Sequence, residues 1–272
     1  MKKLITALAT PFKNCKIDLK SYEKLLEFQL KNKVDELLVC GTTGEAQLLS
    51  QREKRSLVAL TRAVAGKTPI TVGVEGSATS GAVREAIDAQ SWGADGLLIA
   101  PPAFCKCTAK GYFCHIKEIL KHVTIPLTLY NVPSRCGYAL DQSAVEQLSG
   151  SVRYVKDAGS DLDYTAALTK SVNVLCGSDG QLPQFLERGA VGVISVVSNV
   201  APLLTRRVLD GKNLQEFHQL AKASMLEVNP IAIKYMLYKK GIFETYDMRL
   251  PLTTASEETR NVIDQMWSED IL

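Results

Sequence analysis

Three short apolar runs of this chain end in side chains suited to one kind of chemistry. Lys156 stands near the end of the run containing Val152, Tyr154 and Val155, with Asp157, Ala158 and Gly159 behind it. The run 126–129 ends in Tyr130-Asn131-Val132-Pro133-Ser134-Arg135, and the run 37–40 in Gly41-Thr42-Thr43-Gly44-Glu45. An amine, a phenol near a guanidinium and a hydroxyl-rich turn are the groups that carbonyl chemistry through a lysine imine requires. A buried lysine loses the hydration that favours its charge, which frees the neutral amine. That amine attacks a ketone, and the protonated imine then draws electrons from the neighbouring carbon. A lysine at a strand end also fits a plainer role, snorkelling to solvent or pairing with Asp157.

The partners have plain alternatives too. Tyr130 is of the type that donates or accepts a proton at a reacting carbon, yet a strand tyrosine also packs its ring and leaves its hydroxyl at the rim. The 41–45 turn presents backbone N–H groups and two hydroxyls beside a helix start, which suits a carboxylate; by itself it is an ordinary strand-to-helix turn. Arg135 follows Pro133-Ser134 and suits bidentate grip of a second carboxylate, or simply the surface. Asn229-Pro230 serves equally well as a helix cap.

The elements that must position these groups alternate almost from end to end. Strand-like runs cover 4–12, 36–41, 69–74, 96–102, 126–132, 152–158, 172–177 and 191–198. Most are continuously apolar, as when both faces of a parallel strand are buried. Amphipathic stretches lie between them: Tyr22, Leu25, Leu26 and Leu30 share one helical face, Ser50 with Glu53 reads as a capping box, and Asp141 as an N-cap. A local repeat, Val34-Asp35-Glu36-Leu37-Leu38-Val39, returns as Ala94-Asp95-Gly96-Leu97-Leu98-Ile99 and more loosely from Ala190 to Ser195. Eight such units without a linker predict an α/β fold, a (β/α)₈ TIM barrel, over 1–211, followed by a C-terminal helical extension over 212–272. In such a barrel the strand C-termini share one face, so Thr42, Tyr130, Arg135 and Lys156 converge although distant in sequence. An open doubly wound sheet is the alternative, but no Gly-x-Gly-x-x-Gly or Walker A sequence follows any strand.

Composition excludes other classes. At 272 residues, 46% hydrophobic and with a formal charge of +3, the chain has ample core and no basic stripe with interleaved aromatics, so a nucleic-acid partner is not expected. The apolar runs are too short to span a bilayer, and Met1-Lys2-Lys3 leads into a strand-like stretch and not a signal peptide. Seven scattered cysteines suit reduced thiols in the cytosol. Histidines occur only at 115, 122 and 218, on predicted helices, and the spacing of Cys105, Cys107, Cys114 and His115 matches no standard zinc pattern, so no metal is expected.

Taken together, the motifs resemble those of the dihydrodipicolinate synthase family, pyruvate-dependent class I aldolases. The resemblance covers nearly the whole chain and rests on 41–45, 130–135, Lys156-Asp157-Ala158, Gly177-Ser178-Asp179, Gly192-Val193-Ile194-Ser195, Asn229-Pro230-Ile231 and Arg249-Leu250-Pro251-Leu252. It implies that Lys156 forms an imine with pyruvate and that Tyr130, hydrogen-bonded to Thr42, relays protons. It further implies that Thr42 and Thr43 bind the pyruvate carboxylate, with Gly177 and Ile194 lining the pocket. Arg135 would hold the carboxylate of aspartate 4-semialdehyde; sister families such as N-acetylneuraminate lyase usually lack that arginine. The implied reaction condenses the two into 4-hydroxy-tetrahydrodipicolinate for lysine and diaminopimelate synthesis, without a cofactor, in a cytoplasmic homotetramer built from dimers. Another pyruvate-imine lyase acting on sugar acids, or a non-catalytic carboxylate-binding relative, is the alternative.

Three departures stand out. The family usually places a relay tyrosine, contributed across a dimer interface, where this chain has Phe104, which lacks the hydroxyl. A slower relay is expected, worth part of the about 10²–10⁴-fold of a general acid–base step; a Phe104→Tyr exchange without effect on rate would count against it. The positions that bind feedback lysine in regulated relatives read Ala46, Gln47, Gln51, Lys54, Ser77, Gly81 and Ala103, which predicts weak or absent inhibition, to be contradicted by suppression at millimolar lysine. The usual Lys-Glu-Ala run reads Lys156-Asp157-Ala158-Gly159-Ser160, a change outside the chemistry.

Overall fold

The eight apolar runs become the staves of a closed parallel barrel. In the computed structural model, which describes residues 1–212 and 215–268, these are β1 (Lys3–Ala7), β2 (Glu36–Val39), β3 (Ile70–Val74), β4 (Gly96–Ile99), β5 (Leu127–Asn131), β6 (Val152–Asp157), β7 (Val174–Cys176) and β8 (Gly192–Ser195). Each pairs with its neighbours in sequence, and β8 returns to β1 with Ile5 opposite Ile194. Side chains alternate across every stave. Inward-facing Ile5, Leu38, Leu98, Tyr130, Leu175 and Ile194 form one cluster. Outward-facing Leu4, Leu37, Val72, Leu97, Leu129 and Val155 belong to a second, larger one beneath the helices.

The helices over the barrel are α1 (Leu19–Lys31), α2 (Gln51–Ala65), α3 (Thr79–Ser91), α4 (Ala109–Leu120), α5 (Gln142–Leu148), α6 (Leu162–Leu168), α7 (Leu182–Glu187) and α8 (Pro202–Leu209). Helix α1 starts because the Asp18 carboxylate accepts from the N–H groups of Lys20 and Ser21, and it turns Tyr22, Leu25 and Leu26 inward. Such fully buried side chains each contribute about 1.5–3 kcal/mol. The Ser50/Glu53 capping box opens α2, and Asp141 caps α5. A short antiparallel ribbon, Phe12–Lys13 with Lys16–Ile17, follows β1.

The repeat has a structural cause. Asp35 accepts from the backbone N–H of Leu4 at 2.7 Å, and Asp95 does the same for Ile70 at 2.9 Å. Each aspartate thus satisfies the first free donor of a preceding strand, and each is met by an arginine, Arg206 for Asp35 and Arg62 for Asp95, both at 2.7 Å. The third copy has Val191 in this place, and its backbone carbonyl accepts from Lys3 instead, at 2.9 Å.

Beyond α8 come α9 (Gln215–Ala223), α10 (Ile231–Lys239) and α11 (Glu257–Ser268). The Asn229-Pro230 peptide, which is cis, separates α9 from α10. The strands are shorter than the apolar runs suggested: β1 stops at Ala7 and β8 at Ser195. Leu8, Ala9 and Val197 beyond them are nevertheless buried. Apolarity reports burial, and these loops at the barrel mouth are covered by the rest of the chain. No helix among the described residues is long and apolar enough to cross a membrane.

Candidate active site

The barrel register brings the first two groups together. Tyr130 and Lys156 are direct partners across the β5/β6 ladder, and both point inward, only 7% and 6% exposed. The Lys156 Nζ lies 4.1 Å from the centroid of the Tyr130 ring, a cation–π distance. The next residue, Asp157, points to the opposite face of β6. There its carboxylate accepts from Asn131 Nδ2 at 2.8 Å, Gly159 N–H at 2.9 Å and Thr165 Oγ1 at 2.7 Å. Strand alternation therefore rules out the simple Lys156–Asp157 pair, and no carboxylate among the described residues forms an ion pair with Lys156.

A cavity of about 540 Å³ opens above this pair. Thr42, Thr43, Tyr130, Arg135, Lys156 and Gly177 all line it. Glycine is required at 177: a Cβ there would come within 3.0 Å of Lys156 Cε and 2.9 Å of Ala158 Cβ, so a side chain would displace the lysine stem. Asp179 lines the cavity as well, with Oδ2 accepting from the N–H groups of Val196 and Val197 at 2.7 and 3.0 Å. Burial pushes its carboxyl up, while bonds from Ser195 and the backbone and the charge of Lys156 pull the other way.

The 41–45 turn is built as two consecutive 3₁₀ turns, Thr42–Gly44 and Ala46–Leu48, joined at Glu45 in the left-handed region, φ 54. Gly73 on β3 lets it approach, since a Cβ there would lie 2.1 Å from the Cys40 carbonyl oxygen. The Gly44 carbonyl accepts from Thr10 Oγ1 at 2.8 Å, and Thr43 Oγ1 from Asn229 Nδ2 at 3.0 Å. Arg135 projects from the short helical turn Pro133–Cys136. Asn131 ties that loop back, accepting from Leu140 N–H at 3.0 Å while donating to Asp157.

Other expected residues fall elsewhere. Ile194 lies in the barrel interior, in the same cluster as Tyr130, and Val196 lines the cavity. Phe104 is fully exposed, at φ +63, away from the cavity of its own chain. The Tyr130 hydroxyl makes no hydrogen bond to Thr42 among the described residues; catalytic bonds of this kind often close only when substrate binds. The described residues also hold no group of three or more histidine, cysteine or acidic side chains placed to bind a metal, and all seven cysteines are free.

Three of the positions tied to feedback lysine contact two acids that the motifs do not reveal. Gln47 donates to Glu75 at 2.8 Å, Gln51 to Glu85 at 3.3 Å, and Lys54 pairs with Glu85 at 3.7 Å. Equally hidden in the sequence is Lys234, buried against Glu45; Arg249, from the 249–252 motif, donates to the Leu48 carbonyl at 2.9 Å. The one signal for Lys234 is that it is a charged residue in the apolar stretch 231–237.

Comparison with known proteins places the chain. A family model described as the Dihydrodipicolinate synthetase family matches residues 1–269. A 4-hydroxy-tetrahydrodipicolinate synthase of Rickettsia bellii is 36% identical over 97% of this chain and 96% of its own. The solved structure of 4-hydroxy-tetrahydrodipicolinate synthase from Methylacidiphilum fumariolicum SolV superposes with a TM-score of 0.92, 32% identity and coverage of 98% of this chain and 95% of that one. A dihydrodipicolinate synthase variant characterised as monomeric reaches 0.93 at 33% identity, covering 100% of this chain and 98% of its own. The chain belongs to the dihydrodipicolinate synthetase family.

Proposed function

We propose that this member of the family is a 4-hydroxy-tetrahydrodipicolinate synthase, condensing pyruvate with L-aspartate 4-semialdehyde. The observation that carries the reading is the Lys156 amine, buried without a carboxylate partner, at the floor of a cavity it shares with Tyr130 and the 42–43 hydroxyls.

Thr42 and Thr43 seat the pyruvate carboxylate and bring its keto carbon to Lys156. The amine attacks, water leaves, and the protonated imine forms. Tyr130 assists the proton transfers, and loss of a methyl proton gives the enamine. The enamine carbon bonds to the aldehyde carbon while Arg135 holds that substrate's carboxylate. The substrate's amine then attacks the imine carbon, closes the ring and releases Lys156. Gly177 keeps the path of the lysine clear. At the positions tied to feedback lysine, Glu85 is paired with Lys54 while Glu75 keeps a buried unpartnered oxygen, so assay with millimolar lysine decides whether free lysine inhibits weakly. Family likeness further supports a cytoplasmic enzyme assembled as a homotetramer, although one structural relative is a monomeric variant, so sedimentation at working concentration decides the assembly.

Borohydride reduction with pyruvate should attach one pyruvyl group, mapped to the peptide containing Lys156, and Lys156→Ala should abolish it. A labelled site elsewhere, or no label in the wild-type protein, overturns the reading. Supplying pyruvate with either the semialdehyde or a sugar aldehyde identifies the acceptor by which is consumed.

A further inference from the structure

We infer that Lys234 and Glu45 form a buried positioning pair that sets the carboxylate seat of the pyruvate pocket. The inference rests on the proposed role of Thr42 and Thr43.

Lys234 Nζ donates to Glu45 Oε1 at 2.7 Å, and neither side chain has any solvent exposure. Two opposite charges sealed in this way seldom add net stability over a well-packed apolar pair, because each gives up its hydration. What the pair does provide is a fixed geometry. Glu45 is the joint between the two 3₁₀ turns, and its left-handed backbone is uncommon for a residue with a side chain. Such a conformation persists where the surroundings over-determine it. The surroundings here are specific: Lys234 lies over the Phe12 ring, 4.3 Å from its centroid, and Arg249 approaches that ring at the same distance.

The segment that delivers Lys234 also delivers Asn229, whose Nδ2 donates to Thr43 Oγ1 at 3.0 Å. That bond occupies an acceptor site of the Thr43 hydroxyl and leaves its O–H to donate outward. A hydroxyl so poised suits a carboxylate in the cavity it lines. Helix α10 thus reaches the turn at two points, through its first turn and through the segment just before its start. Neither residue is part of the imine chemistry, so loosening the joint should weaken pyruvate binding and leave the chemical step nearly intact.

The test is steady-state kinetics and thermal unfolding of the full-length double variant Glu45→Met/Lys234→Met. Its melting point should stay close to wild type, while KM for pyruvate rises about tenfold or more with kcat and KM for the semialdehyde within about threefold, the signature of lost ground-state binding. A stable double variant with wild-type pyruvate KM overturns the inference, as does a fall in kcat with KM unmoved. If the double variant does not fold, Lys234→Met, which removes the donor to Glu45, takes its place: a raised pyruvate KM with kcat held supports the pair's role, and either of the two contrary results overturns it. Failure of the wild-type protein to trap pyruvate under borohydride would sink the underlying reading and this one together, and shows before any variant is made.

Discussion

The two halves of the cavity are held by different means. Lys156 and Tyr130 stand on adjacent staves as register partners, so the backbone ladder alone fixes their separation. Thr42 and Thr43 stand on a turn, and the bonds that hold it come from Thr10, Asn229 and Lys234, the last 189 positions away from Glu45. A strand needs only its neighbours to aim a side chain, whereas a turn has spare backbone freedom that distant contacts must remove. The half proposed to make and break bonds is built into the barrel; the half proposed to seat the substrate is tied to the extension through Asn229 and Lys234.

That contrast can be broken most forcefully at Tyr130. Tyr130→Phe keeps the ring beside Lys156 and removes the hydroxyl, so kcat should fall about 10²–10⁴-fold with KM for pyruvate little changed. A variant with normal kcat and a raised KM would dissolve the division between the halves. Next in size is Arg135, which lies on a loop anchored to the strand-borne half through Asn131. Arg135→Met should raise KM for the semialdehyde by about 10–100-fold, the worth of a charged hydrogen bond, leaving KM for pyruvate alone; equal rises for both substrates would show that the arginine serves the whole pocket.

The smallest effect concerns Glu75, which lies between the halves, bonded to Gln47 and within the field of Arg135. Its Oε2 is buried without a hydrogen-bond partner. Burial, the largest cause, pushes its carboxyl up to about 7, with Lys54 pulling down and Glu85 pushing up. The folded state therefore holds this proton more tightly than the unfolded chain, whose carboxyl titrates near the ordinary value of about 4.3. Stability must fall as pH climbs from that value to about 7, with the loss complete above it. Glu75→Gln should leave the melting temperature unchanged at low pH and raise it by several degrees at pH 8. A shift of equal size at both pH values would mean that the charge is not the cause.

Motifs made much of the site legible. Thr42, Tyr130, Arg135 and Lys156 were recognisable because each follows an apolar run whose burial on both faces marks a parallel strand. The same signal misled at the strand ends: Leu8, Ala9 and Val197 are apolar because the mouth is covered, not because they lie in strands. Ile194 was expected at the cavity wall, and it lies instead in the barrel interior, one alternation below Val196. Glu75 follows the apolar run 69–74 and so carries the strand-end signal, but neither it nor Glu85 belongs to a motif that names its partners, and those contacts appear only in the fold.

What the sequence determined by itself is whatever depends on neighbours along the chain: alternating apolar runs, helix caps at Ser50 and Asp141, the aspartate that opens two of the repeats, and the order of reactive side chains at strand ends. Only the tertiary structure decided that Asp157 faces away from Lys156, that Gly177 clears the lysine stem, and that Lys234 meets Glu45. These outcomes hinge on which face a side chain takes and on contacts between remote segments. Periodicity records neither, because the free energy of such a contact exists only once the barrel has closed.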